Sequence, residues 1–126
     1  MSQTPAVGAS RERPARAGRP PACEGSAPTS LFLFKLIPPR ADFAQTMTAE
    51  EQSAMAEHMQ YWQRLLHEGL VVVYGPVADP EGVWGLGVLR AADRAEVLAI
   101  GERDPSVASG VNTFEVFEIM GGITAQ

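Results

Sequence analysis

Every residue of the segment 31–37, LFLFKLI, except Lys35 is large and apolar. Side chains alternate across a strand, so Leu31, Leu33 and Ile37 share one face while Phe32, Phe34 and Leu36 share the other. A sheet holding such a strand is apolar on both sides, and both sides must be buried. Pro38 and Pro39 end the strand, since proline cannot donate to a ladder. One layer of helices covers one face only. The other face needs a second cover.

The rest of the chain supplies the remaining layers in a definite order. TMTAEEQSAMAEHMQYWQRLLHEG predicts a long helix, with Thr48 as N-cap, Glu51 at capping-box spacing and Gly69 in the C′ position. LVVVYGPV (70–77) is a second strand, halted at Gly75-Pro76. ADPEG then turns the chain into a third strand, VWGLGVLR (83–90), as a hairpin with a five-residue loop. Residues 93–103 form a short helix capped by Asp93, presenting Val97, Ile100 and Gly101 on one side. DPSVASG adds a helical turn ending at Gly110, and NTFEVFEIM (112–120) is the last strand, before a loose end at Gly121 and Gly122. The order β-α-β-β-α-β predicts an α+β, ferredoxin-like domain. Its four-stranded antiparallel sheet carries two helices on one face. For the uncovered face, a second subunit is the cheapest cover, and a homodimer is expected. The rival is a monomer covered by its own tail.

That tail, residues 1–29, is rich in proline and arginine and poor in large apolar side chains. Such a segment cannot bury enough surface to offset its ordering entropy, so it reads as disordered. It has no continuous apolar stretch of the kind a secretory signal carries. The domain is then 30–126. The chain's sole cysteine, Cys23, lies in the tail, which leaves no disulfide and no cysteine-rich metal site. A reducing, cytoplasmic compartment is expected. The net charge is −5 for the chain and more negative for the domain, because the tail is net positive. That acidity argues against nucleic acid as a partner. No apolar run is long enough to span a membrane.

Both histidines lie on the long helix. At about 100° per residue, Met55, Met59, Trp62 and Leu66 form an apolar stripe taken to face the core. His58 then sits near the stripe's edge, about 60° off its centre, and His67 about 120° away. The two cannot share one site from this helix. His67 lies in the last turn, where a cation suits the helix dipole, and reads as structural. His58 has two readings: a structural residue bonding one carbonyl, or a general acid or base at the helix–sheet boundary. Asp104 precedes Pro105 and reads as the N-cap of a turn. A carboxylate has two oxygens, so capping does not exclude orienting a histidine. Gly85 and Gly87 share a face of the third strand and leave either a cleft or room for a close helix. Nothing resembles a phosphate loop. Trp84 reads as interface core, and Asp79 and Glu81 as turn residues.

In sequence, EHMQYWQRLLHEG, then VVVYGPV, a hairpin, a helix and DPSVASGV resemble the YCII-related (YciI-like) family over about residues 31–120. The resemblance implies a dimeric α+β barrel, with His58 and Asp104 as the active-site pair and Gly75 and Pro76 as the adjoining substrate-binding turn. It also implies chemistry without metal or cofactor, of the kind a dehydrochlorinase performs. The expected protein is a small lyase- or isomerase-type enzyme acting on a cyclic or phenolic molecule. The alternative is a non-catalytic dimeric module that binds a small ligand or serves as an accessory protein.

Overall fold

The computed structural model describes residues 29–121. The expectations for the tail 1–28 and for the segment after 121 lie outside them. Strand β1 (Ser30–Ile37) leads through a short helix α1 (Phe43–Thr46) to the long helix α2 (Ala49–His67). The hairpin β2 (Val71–Val77) and β3 (Trp84–Ala91) follows, then α3 (Arg94–Glu102), α4 (Pro105–Ala108) and β4 (Thr113–Ile119). The sheet runs β2-β3-β1-β4, and every neighbouring pair is antiparallel. This is the expected α+β, βαββαβ arrangement.

Both longer helices lie on one face. The ring of Phe34 is 4.9 Å from that of Trp62 on α2, and Phe34 and Phe114 also crowd Gly101 on α3. Phe32, Phe34 and Leu36 are buried on that side with Leu89, Ala91, Val97, Ile100 and Val116. Gly87 sits opposite Phe34 in the register. A Cβ there would lie 2.8 Å from the Trp62 ring. Its missing side chain therefore serves close helix packing, while Gly85 lies beside Leu36 at the cavity described below.

The opposite face is open in the single chain, so the second apolar side of β1 has no cover from the helices. Leu33 pairs with Val88 and Phe117 across it, and Phe117 and Val73 are each 48% exposed. Lys35 also faces this side, with its ammonium 5.0 Å from the centre of the Trp84 ring.

The start of α2 is held by side chains. Thr48 accepts from the Glu51 amide at 3.1 Å, and Glu51 accepts from the Thr48 amide at 2.9 Å. Arg40 grips the same carboxylate through two nitrogens, at 2.7 and 3.0 Å. The hydrogen bonds from Arg40 hold the Glu51 carboxyl down at about 2. At the other end Gly69 adopts a left-handed φ of 83°, which closes the helix. Helix α1 was not anticipated. One turn is too short to show a periodicity, and it is fixed by burial of Phe43 and by Arg40 bonds to Thr46.

The phase of α2 differs from the one expected. Met59 is 51% exposed and Leu66 41%, whereas Ala54, Trp62 and Leu65 are buried. The core stripe is therefore rotated toward His58, which lies within it rather than at its edge. Met55 and Met59 line a cavity instead of the core.

Candidate active site

His58 projects from the buried stripe of α2 toward the turn after α3. Its Nδ1 lies 2.7 Å from Oδ2 of Asp104. Asp104 is fully buried, and His58 keeps 11% of its side chain exposed. The two expected site residues are thus in contact, although the helix wheel had placed His58 further from the core.

Asp104 uses its oxygens for two purposes. Oδ1 accepts from the amide and the hydroxyl of Ser106, each at 2.8 Å, which caps α4 with Pro105 at its first position. Oδ2 accepts from His58 and from the indole N–H of Trp62, at 2.7 Å. Burial pushes the Asp104 carboxyl up. The hydrogen bond and charge of His58, then the Trp62 and Ser106 donors, outweigh it and hold the carboxyl below its usual value. An ionised carboxylate only accepts, so Nδ1 of His58 carries the hydrogen, and the lone pair of the neutral ring is at Nε2. No described residue hydrogen-bonds Nε2.

His58 lines a cavity of about 580 Å³. Met55, Met59 and Trp62 form its wall on α2, and Phe34 and Tyr74 its floor on the sheet. Trp62 stands 4.9 Å from Phe34 and 6.0 Å from Tyr74, ring to ring, so one side of the cavity is aromatic. Gly75 and Pro76 border the cavity on β2, and a Cβ at Gly75 would meet nothing within 4 Å. Trp84 borders it from β3, with its indole N–H bonded to Asp79 at 3.1 Å. His67 is exposed on the far side of α2 and takes no part.

Three side chains of this region escaped the sequence reading. Trp62 reads in the sequence as core alone, yet it also donates to Asp104. Ser106 was not singled out. Asn112, buried just before β4, lines the cavity, and nothing in GVNTF marks it. Among the described residues, no cluster of three or more His, Cys, Asp or Glu side chains is placed to hold a metal ion. No helix there is long and apolar enough to cross a membrane.

The YCII-related domain matches residues 34–120, most of the chain. The chain belongs to the YCII-related family. Among solved structures it is similar to 5-chloro-2-hydroxyhydroquinone dehydrochlorinase from Burkholderia phenoliruptrix, described in complex with 2,5-dihydroxybenzoquinone. That match has 19% identity and a TM-score of 0.55, and covers 73% of this chain and 95% of that one. At this identity the likeness speaks for the fold. A protein of unknown function from Nitrosomonas europaea matches at 14% identity and a TM-score of 0.44, covering 80% of this chain and 99% of that one. A cofactor-independent oxygenase from Streptomyces nogalater matches at 15% and 0.41, covering 76% and 95%. None of the curated proteins matches the chain.

Proposed function

We propose that this YCII-related protein is a small cofactor-free enzyme of the lyase or isomerase type, with His58 as its general acid–base. The observation that carries the reading is the 2.7 Å contact between His58 and a buried, ionised Asp104 at the wall of an apolar cavity. Nε2 takes a proton from an O–H or C–H of the substrate. The Asp104 carboxylate stabilises the imidazolium that forms and fixes the tautomer that was reactive. Returning the proton to another substrate atom completes an isomerisation. In an elimination, the leaving group departs with its bonding electron pair and the proton passes to solvent. Positioned proton transfer of this kind contributes about 10²–10⁴ in rate.

The aromatic wall formed by Phe34, Trp62 and Tyr74 suits a flat ring, so the substrate class is small, cyclic or phenolic. Gly75 and Pro76 give that ring its way in along the sheet edge. A second copy of this chain covers the open sheet face in a homodimer. Support comes from the exposed Val73 and Phe117 beside Leu33 and Val88.

The similar dehydrochlorinase suggests the first substrate to try. Chloride release from 5-chloro-2-hydroxyhydroquinone under argon should be catalysed by the full-length protein and abolished by His58→Ala, with the circular dichroism spectrum retained. Turnover that survives His58→Ala would overturn the role of the histidine. Binding without turnover, here and across hydroxyquinones tested for isomerisation, would make this a ligand-holding module.

A further inference from the structure

Asn112 is 4% exposed, and its carboxamide is poorly satisfied. The Nδ2 end donates to the Sδ atom of Met55 at 3.3 Å, a weak acceptor. The Oδ1 end is buried and has no hydrogen-bond partner, alone in this among the buried side-chain atoms of the described residues. Leaving a buried acceptor unmatched is costly, and a fold does not keep one without a reason. Asn112 and Met55 both line the cavity that holds His58. Several other polar side chains nearby are already engaged. Asp104 spends its oxygens on four donors, and the indoles of Trp62 and Trp84 bond to carboxylates.

We infer that Asn112 is a ligand-positioning residue, whose carboxamide oxygen accepts a hydrogen bond from an O–H or N–H on the ring bound against His58. The inference rests on the cavity being the substrate site proposed above. It adds that the ligand carries a second polar donor besides the group on which His58 acts. The backbone gives the arrangement its rigidity. The Asn112 amide donates to the Ser106 carbonyl at 2.9 Å, in the turn whose first residue, Asp104, orients the histidine. One short segment, 104–112, thus carries both the group that aims the base and the group that aims the ring. Met55 is the movable element. An unbranched thioether repacks readily, so the incoming ligand displaces it rather than backbone.

Hydroquinone and p-xylene have nearly the same shape and differ in hydroxyl against methyl, so their affinity ratio isolates the polar contacts. Calorimetric titration of the full-length protein should show a clear preference for hydroquinone, under argon. Asn112→Leu should cut that preference about tenfold, the size of one hydrogen bond to a buried neutral group, while p-xylene affinity changes little. A merely structural Asn112 would lower both affinities together and leave the ratio alone, which overturns the inference. A variant that fails to fold is bypassed in the wild type by the side-chain amide resonances of Asn112. Those resonances should shift with hydroquinone and stay in place with p-xylene, and equal shifts would equally overturn it. If neither compound enters at millimolar concentration, the small-ligand reading of the cavity falls too, which separates its failure from that of Asn112 alone.

Discussion

The indole N–H of Trp62 meets Oδ2 of Asp104 at 2.7 Å, on the oxygen that also holds His58. A residue of the core is therefore wired to the candidate site, and the carboxylate that holds His58 is also a structural hub. Substitutions here should move stability and rate together.

Asp104→Asn turns one acceptor into a donor, so either the Ser106 cap or the His58–Trp62 pair faces a mismatched group. We expect a loss of about 2 kcal/mol at neutral pH, or about 10 °C in melting temperature for a domain of this size, together with loss of turnover. The folded carboxyl titrates below its ordinary 3.8, so its contribution is present above that pH and fades as pH falls through the folded value. The deficit of the variant should accordingly shrink below pH 3.8 in urea titrations. A constant deficit down to pH 2 would contradict the assignment of Asp104 as charged.

Gly87→Ala would drive a methyl group into Trp62, whose ring atoms lie 2.8 and 2.9 Å from the required position. Overpacking of a filled core costs about 1–3 kcal/mol. The melting temperature should fall and Trp62 fluorescence should change. An unchanged melting curve would mean that α2 shifts freely, which its packing against Phe34 argues against.

Glu51→Gln removes the carboxylate that Arg40 and the Thr48 amide hold at about 2. A depressed carboxyl stabilises the fold above its ordinary 4.5 and loses that effect as pH drops toward 2. Between those values the stability of the wild type should decline more steeply than that of the variant. Parallel declines would show that the Arg40–Glu51 pair does not couple to folding.

Phe117→Glu places a charge on the open sheet face, where Phe117 is half exposed beside Leu33. Light scattering at micromolar concentration should find the wild type dimeric and this variant monomeric. A monomeric wild type would remove the dimer from the proposal and leave the His58–Asp104 contact untouched, since both residues lie within one chain.

The order of elements was legible because each carries its own stop: Pro38 after β1, Gly69 after α2, Pro76 near the end of β2, Asp93 and Asp104 before the next helices. The double use of Asp104 was also legible, since an N-cap needs only one of two oxygens. The phase of α2 was not. Met55 and Met59 are as apolar as core residues, but they face a cavity, and a helix wheel cannot distinguish a cavity wall from a core. That error moved His58 to the margin of a stripe it in fact shares with Ala54, Trp62 and Leu65. Asn112 gave no signal at all, because its significance arises from Met55, a contact across 57 positions of sequence.

Strand β2 is one of the two outer strands of the sheet, and Val72 and Val73 on it are exposed. Such an edge is a template on which another strand can pair, the first step toward a fibre. Pro76 has no amide hydrogen to offer, and the ladder shifts register between Val71 and Val73, so an incoming strand finds no long regular edge to follow. The dipeptide that borders the cavity is thereby also a safeguard. The chain can keep an accessible apolar chamber at the rim of its sheet without turning that rim into a seed for aggregation.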